Sequence, residues 1–429
     1  MKKLVVFMLC TLMAASLLFA GCSTEAEEKK TDGKTGGEEE KPESLTIITS
    51  TDFKAFLEEL GKQFEEEEGI KINVISEAYD NTHNKITTGV MGGSAVDMAY
   101  LDTIWPAEFA ASGIALPLDE YLTDEAREGI IDACIDQLVY DGKTYGIPYV
   151  NNGKWMFYNK RILKDGGYDE PPATWEELFA MSKDLADQGL VKYGISYGSM
   201  QAEGIVCDMT SWLYAYGGEW MNESGEFVFN SDEGVAALEA IVESLGNGCA
   251  DPASITYNDR TCLDTFLAGD TAFAMNWSFA WDLVQSEADS HVLGDVGICL
   301  MPGGEKSGVL SASVSGGGGM CMLSTTVSPY WSWKFMEKLL DPEVQVQAMA
   351  NGGTLPTLKS AYEDEELLAQ YPYLKDFYPQ YEYMHYRPVM VQYGEWSNIM
   401  QQALSAAMSG EKSAKEALDD AKEASASLE

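Results

Sequence analysis

Basic residues are scarce relative to acidic ones in this sequence. It has 28 lysines and arginines against 69 aspartates and glutamates, so the formal net charge is −41 at pH 7. Binding to nucleic acid needs a basic stripe or patch, and the sequence contains none. The same acidity opposes contact between the folded body and anionic lipid surfaces, and mainly favours solubility.

Residues typical of metal and cofactor sites are also few. The three histidines do not fall at a metal-ligand spacing; they are His83, His291 and His385. No P-loop, H-E-x-x-H motif or dinucleotide-binding glycine signature occurs, so we expect neither a metal nor a cofactor. One enzyme-like match remains, G-x-S-x-G at 194–198, which would make Ser196 a nucleophile. A nucleophile elbow needs a helix directly afterwards, whereas 199–204 is polar and contains glycine, so a strand end is the favoured interpretation.

Only one apolar run is long enough for a targeting role, and it lies at the N-terminus. Lys2 and Lys3 precede the apolar stretch 4–20, which leads through small residues into Cys22. This order predicts a secretory signal peptide over 1–21. The cysteine after small residues resembles a bacterial lipobox, with Phe19 at the usual leucine position. We therefore expect Cys22 to be acylated and to anchor the chain to the outer face of the cell membrane.

A polar segment follows the expected anchor. Residues 22–44 carry repeated glutamate and lysine and no large apolar side chain, which predicts a flexible tether. The remaining chain from Leu45 is long enough for two domains.

The cysteines beyond the tether do not form a recognisable framework. No pair has C-x-x-C spacing, and the sequence leaves open whether they pair or remain free thiols. They are Cys134, Cys207, Cys249, Cys262, Cys299 and Cys321.

Hydrophobic periodicity predicts alternating strands and helices at the start of the folded part. Strands are expected at 45–48, 70–75 and 96–101, with helices at 53–68 and 81–90 between them. This order implies parallel pairing and an α/β layer fold. Ligands bind such sheets at the carboxyl ends of the strands, where Asp52 and Asp102 fall.

Helix-capping signals punctuate the later chain. Thr174 with Glu177, and Ser413 with Glu416, each have the spacing of a capping box. Pro342 at a first helical position predicts another helix start.

Tryptophans recur beside polar residues, as a carbohydrate site requires. Sugar C–H faces stack on flat rings, while sugar hydroxyls need fixed donors and acceptors. Each tryptophan taken alone is more often a core residue than a platform for a ligand. The tryptophans in question are Trp105, Trp155, Trp212, Trp220, Trp277, Trp281 and Trp396.

Six segments occur in an order that resembles one known family. They are YGIPYVNNGKWMFYNKRIL at 145–163, PPATWEEL at 171–178, FLAGDTAFAMNWSFAW at 266–281, KFMEKLLDPEVQ at 334–345, LPTLKS at 355–360 and SGEKSAKEALDDA at 409–421. Together they resemble the family 1 extracellular solute-binding proteins, the group that contains maltose- and trehalose-binding proteins. The resemblance extends from Leu45 to the last helix.

This resemblance implies a two-lobed α/β fold with a three-crossing hinge and a ligand cleft between the lobes. Lobe 1 would comprise 45–149 and 305–355, and lobe 2 would comprise 153–300 and 358–429.

The resemblance also implies a set of ligand-binding residues. They are Asp52, Asp102, Trp105, Asn152, Trp277, Phe279, Trp281, Gly316, Gly317 and Arg387. Phe279 stands where the family more often has Trp or Tyr. Ser397 and Gln401 replace the Trp and Arg of some maltose-type members, which argues against maltodextrins.

The sequence therefore predicts a non-enzymatic, monomeric binding protein of an ABC importer, which captures a di- or oligosaccharide and delivers it to permease subunits. Two alternatives stay open: a cationic ligand such as a polyamine, and an exported esterase that uses Ser196. The same fold is also compatible with a tethered sensor that feeds a signalling receptor.

Overall fold

The structure, a computed structural model, describes residues 40–286, 290–352 and 354–428. The expected signal peptide, Cys22 and most of the expected tether lie outside these residues. No helix within the described ranges is long and apolar enough to span a bilayer.

The strands of the described chain, numbered in chain order, are β1 Ser44–Ser50, β2 Lys71–Glu77, β3 Met98–Asp102, β4 Ala115–Leu116, β5 Val139–Tyr140, β6 Lys143–Thr144, β7 Ile147–Asn159, β8 Tyr193–Ser196, β9 Thr271–Trp277, β10 Val296–Cys299, β11 Ser313–Leu323 and β12 Met384–His385.

The helices are α1 Lys54–Glu68, α2 Tyr79–Met91, α3 Pro106–Ala111, α4 Asp124–Gly129, α5 Asp132–Ile135, α6 Lys160–Asp165, α7 Trp175–Asp187, α8 Glu203–Ala215, α9 Asp232–Asn247, α10 Asp259–Leu267, α11 Ala280–Val284, α12 Pro329–Glu337, α13 Pro342–Gly352, α14 Glu365–Gln370, α15 Leu374–Phe377, α16 Tyr393–Met408 and α17 Ala414–Ser425.

The first elements confirm the predicted alternation. β1 pairs in parallel with both β2 and β3. The helix between β1 and β2 buries Leu57 and Phe64 on the face that the apolar spacing predicts. It ends at Gly69, whose φ of 71° lies in the left-handed region that glycine adopts without strain. Parallel pairing brings the carboxyl ends of these strands to one edge.

One long strand joins the two halves of the structure. The first half of β7 pairs with β11, and its second half pairs with β9 and β10. The sheet order is consequently continuous, as β2-β1-β3-β11-β7-β9-β8. Residues 152–154 of β7 therefore lie where the chain passes from one lobe to the other.

A third segment runs beside these two crossing strands. Asn151 donates its backbone N–H to Thr354 Oγ1 over 2.7 Å and its side-chain amide to the Pro356 carbonyl over 2.6 Å. Its own carbonyl accepts from the Leu355 N–H at 3.1 Å. Segment 354–356 thus lies against β7 at the level of Asn151, where three stretches of chain pass between the lobes.

Two buried clusters form the core. One contains Leu57 and Phe64 from α1 together with strand β3, and it continues to Phe157 in the second half of β7 and Phe266 in α10. The other contains Trp175, Trp212 and Trp396 from α7, α8 and α16. These tryptophans are core residues, as the alternative interpretation of the tryptophan pattern allowed.

Contacts around residue 305 bear on the expected lobe limits. Glu305 donates its N–H to the Glu176 carboxylate, and Ser307 donates its hydroxyl to the Ala215 carbonyl. Both acceptors lie on helices that contribute to the second buried cluster, Glu176 on α7 and Ala215 on α8. The lobe limits stay a prediction. These contacts favour a return of the chain to the first lobe at the start of β11 rather than at residue 305.

The two capping boxes differ in the structure. Ser413 and Glu416 exchange both bonds, as expected. Thr174 accepts from the Glu177 N–H, but the Glu177 carboxylate accepts from the Ala173 N–H at 2.8 Å and not from that of Thr174. The predicted reciprocal bond is therefore shifted by one residue, from the N–H of Thr174 to that of Ala173.

Candidate ligand-binding site

A cleft of about 380 Å³ opens where the ends of β1 and β3 meet the crossing strands β7 and β11 and the first turns of α8 and α10. Most of the residues expected at the site line this one cleft. They are Asp52, Asp102, Asn152, Trp277, Phe279, Gly316, Gly317 and Arg387.

Asp102, at the end of β3, is buried and engaged by neighbouring donors. Its Oδ2 accepts the hydroxyls of Tyr79 at 2.9 Å and Tyr100 at 3.1 Å. Its Oδ1 accepts from the Thr103 hydroxyl and the Ile104 N–H, each at 3.3 Å. Burial raises the pKa of Asp102. The positive charge of Arg387 and the hydrogen bonds to the carboxylate partly offset this increase. The carboxylate therefore orients its protein neighbours.

Arg387 bridges the two lobes across the cleft. Its Nη1 donates to Glu203 Oε1 at 2.7 Å, and its Nη2 donates to Thr103 Oγ1 at 2.9 Å. Thr103 follows β3 in the first lobe, whereas Glu203 begins α8 in the second. Glu203 also accepts hydroxyl bonds from Tyr393 and Ser397, so its negative charge is well compensated.

Trp277 is held by a buried ion cluster. Lys154, which has no exposed surface, contacts Asp208 and lies 2.7 Å from Asp259. The Trp277 indole N–H donates to Asp259 at 2.9 Å, and the Lys154 ammonium lies 5.0 Å from the ring centroid. A Cβ at Gly316 would lie 2.6 Å from the Trp277 ring. Only glycine at that position permits this close packing.

Burial and the opposite charges shift the pKa values of this cluster in opposite directions. Burial raises the pKa of Asp208 to about 7, although the Lys154 charge acts in the opposite direction. For Lys154, burial would lower the pKa, but the carboxylates of Asp208 and Asp259 outweigh it and the pKa is raised. The lysine is therefore a permanent positive charge beneath the Trp277 ring.

The crossing strands form the back wall of the cleft. The Asn152 side-chain oxygen accepts from the Ser278 N–H at 3.1 Å and hydroxyl at 2.9 Å, which ties β7 to the turn after β9. Gly317 has a φ of 105°, and a Cβ there would lie 2.1 Å from the Val150 carbonyl. Any side chain at Gly317 would force the two crossing strands apart.

Two expected site residues lie behind the cleft wall. Trp105 is 7% exposed and packs between the rings of Tyr79 and Phe109. Trp281 packs against Tyr373, with ring centroids 5.3 Å apart. Both can support neighbouring residues, but neither faces the cleft.

Several lining residues were not expected from the sequence. They are Phe53, Tyr79, Tyr100, Val150, Glu203, Gly204, Cys207 and Asp259. Tyr79 could have been found, because it follows β2 and the carboxyl ends of β1, β2 and β3 share one edge. Glu203 and Asp259 reach the cleft only through the packing of α8 and α10. No local sequence pattern predicts that packing.

The serine nucleophile hypothesis finds no support in the geometry. Ser196 is fully buried, and its hydroxyl lies 2.8 Å from that of Thr265. After β8, the next helix begins only at Glu203, so the strand-turn-helix of a nucleophile elbow is missing here.

The remaining candidate groups are unremarkable in the described chain. Within residues 40–286, 290–352 and 354–428, no three acidic, histidine or cysteine side chains group as metal ligands. The six cysteines beyond the tether are free thiols in this structure.

Two α/β lobes, three crossing segments and a polar-aromatic cleft between the lobes define a hinged ligand-binding protein. Residues 48–346 match the family model for bacterial extracellular solute-binding proteins, which is more than half of the chain. The chain belongs to that family, as the six ordered segments predicted.

Individual relatives agree with this assignment. A putative binding protein of Brucella abortus is 27% identical over 309 residues, which is 71% of this chain and 73% of the relative. A probable ABC transporter-binding protein of Deinococcus radiodurans is 26% identical over 312 residues, with the same two coverages. The maltose-bound MalE3 structure of T. maritima superposes with a TM-score of 0.78 at 25% identity, covering 89% of this chain and 98% of that one.

Proposed function

We propose that this protein captures a neutral carbohydrate in the cleft and delivers it to the permease of an ABC importer. The observation that carries the proposal is the pairing, in one cleft, of aromatic faces with fixed polar groups. Trp277 and Phe279 supply apolar faces beside Asn152 and Asp52. A sugar needs both kinds of surface, because its C–H faces are apolar and its hydroxyls are not.

The charge arrangement favours a neutral ligand over a polyamine. Glu203 is paired with Arg387, and Asp259 is paired with Lys154, so both carboxylates already have a cationic partner. Asp102 accepts from several protein donors. A cationic ligand would have to compete with these partners, whereas a sugar hydroxyl needs only a free donor or acceptor position.

The cellular context comes from the N-terminus and from the relatives. The Deinococcus relative is named a probable ABC transporter-binding protein, and the T. maritima structure holds maltose. The predicted signal peptide and acylated Cys22 would place this chain on the outer face of the membrane, tethered as a monomer near its permease. In this proposal the protein performs no chemistry on its ligand.

A thermal-shift screen tests the proposal. Monosaccharides, disaccharides, oligosaccharides, sugar alcohols and spermidine would be compared, since a ligand at 100 times its Kd adds about 2.7 kcal/mol to the unfolding free energy. Stabilisation by a sugar or sugar alcohol, and its loss in Phe279→Ala, would support the proposal. Stabilisation by spermidine alone, or equal sugar binding by Phe279→Ala, would contradict it.

A further inference from the structure

Tyr79 presents an accessible ring inside the cleft, although nothing in the sequence patterns singled it out. It is the first residue of α2 and follows β2 after a single residue, Ala78. It lines the cleft and is 40% exposed. Its neighbours Asp102 and Trp105, which sequence reasoning placed at the ligand, are both buried. The exposed member of this group is therefore the tyrosine.

The Tyr79 ring is held from two directions. Its hydroxyl donates to Asp102 Oδ2 at 2.9 Å. Its ring stacks on Trp105, with centroids 6.4 Å apart and planes inclined by 22°, and Trp105 stacks in turn on Phe109 at 5.8 Å. A ring fixed in this way loses little further freedom when a ligand packs on it, which favours affinity.

The bonds of Asp102 indicate that it acts through this ring. A carboxylate has about four acceptor positions. Asp102 already receives bonds from Tyr79 and Tyr100 at one oxygen, and from Thr103 and the Ile104 N–H at the other. A ligand hydroxyl would have to displace one of these donors.

We propose that Tyr79 is the ring of the first lobe on which the sugar packs, opposite Trp277 of the second lobe, and that Asp102 and Trp105 are positioning residues that act through Tyr79. This inference rests on the proposed carbohydrate function. Because the Tyr79 hydroxyl donates its proton to Asp102, its oxygen is left to accept a bond from a sugar hydroxyl.

Calorimetry with the best sugar or sugar alcohol from the screen tests the role of the ring. Tyr79→Ala should weaken binding by about tenfold or more, because an apolar stacking face is lost. Tyr79→Phe keeps the ring and should weaken binding only about two- to fivefold. The control is Tyr378→Ala, because Tyr378 is also 40% exposed and stacks on a neighbour, Tyr362, but is not part of the cleft lining. Its affinity should equal that of the wild type.

A double-mutant cycle tests the positioning role of Asp102. Asp102→Asn should weaken binding about threefold in the wild type but less than about 1.5-fold in Tyr79→Phe, since the bond through which it acts is then already gone. A purely structural effect of Asp102 would be the same in both backgrounds and would overturn this part of the inference. Urea unfolding of each variant without ligand reports whether the fold is intact.

The outcomes separate this inference from the proposed function. If the wild type binds a sugar and Tyr79→Ala binds it equally well, the inference is wrong and the proposed function stands. If the wild type binds no sugar or sugar alcohol, both are wrong. Should Tyr79→Ala fail to fold, Tyr79→Phe still tests the hydroxyl bond, since unchanged affinity in Tyr79→Phe would overturn the positioning role of Asp102.

Discussion

Replacement of Lys154 by methionine is the sharpest test of the electrostatics behind the cleft. Lys154 lies in β7 with no exposed surface, and its ammonium contacts the carboxylates of Asp208 and Asp259. Methionine keeps much of the apolar stem but removes the charge. The variant therefore leaves Asp208, itself almost fully buried, without its cation.

The expected loss is large and depends on pH. Removal of one partner of a buried ion pair typically lowers the unfolding free energy by about 3–5 kcal/mol. Burial already raises the pKa of Asp208 to about 7, and loss of Lys154, which lowers it, should raise it further. The unfolded chain releases this proton at about pH 3.9. A raised folded-state pKa means that stability falls as pH rises between the two values.

The sign of the pH effect follows from these two pKa values. In the wild type the fall due to Asp208 ends near pH 7, where the carboxyl group is ionised in the folded state too. In Lys154→Met the unfolding free energy continues to fall above pH 7, by up to about 1.4 kcal/mol per pH unit. The stability difference between wild type and variant should therefore widen between pH 7 and pH 9.

Urea unfolding at pH 7 and pH 9 measures both effects. The control is Lys183→Met, because Lys183 pairs with Asp187 on an exposed helix face. That change should alter stability by less than about 1 kcal/mol. Adding Asp208→Asn to Lys154→Met removes the stranded carboxylate, so the widening should disappear. A loss below about 1 kcal/mol for Lys154→Met, or the same difference at both pH values, would refute the reasoning.

Three further outcomes are expected. Gly316→Ala should weaken sugar binding about tenfold, because its Cβ would lie 2.6 Å from the Trp277 ring, whereas Gly394→Ala, with open space around its Cβ, should not change affinity in calorimetry. Cys22→Ser should move the protein from the detergent phase to the aqueous phase or leave it unprocessed, since stable anchoring needs lipid attachment; equal membrane retention would contradict this. Small-angle scattering should give a smaller radius of gyration with the bound sugar, and identical curves would argue against lobe closure.

Elements whose signals are local could be predicted from the sequence. The helix that ends at Gly69 needs only a periodic apolar face and a residue free to adopt a positive φ. The last helix needs only Ser413 and Glu416 at the capping-box spacing. Parallel pairing of the first strands then follows from the alternation of elements, which is why the edge carrying Asp52 and Asp102 was located correctly.

Partnerships between distant residues could not be predicted. Arg387 was expected to donate to a ligand, but its guanidinium bonds Glu203 and Thr103, far away in the sequence. Lys154 sits in an apolar strand pattern and gives no sign that two aspartates will surround it. These arrangements depend on how α8 and α10 pack against the crossing strands, which periodicity does not encode.

The sequence also could not predict which side chains are exposed at the carboxyl ends of the first strands. Asp102 ends β3 and Trp105 follows it, and both were expected to face the ligand. The structure buries both and leaves Tyr79 exposed beside them. Which member of a local group reaches solvent is decided by the packing of α2 against α3, not by position in the chain.

In the proposed arrangement each lobe fixes one aromatic ring through a hydrogen bond to a carboxylate. On one side a buried carboxylate, Asp102, holds the hydroxyl of Tyr79; on the other, Asp259 holds the indole N–H of Trp277. Each ring is thus fixed within its own lobe before a ligand arrives. A sugar can pack on both rings only when the lobes are close. The contacts made only in the closed form are therefore those with the second ring and its neighbours. Since a ligand shifts a conformational equilibrium only by its differential contacts, a molecule that reaches one ring alone should bind weakly and leave the protein open.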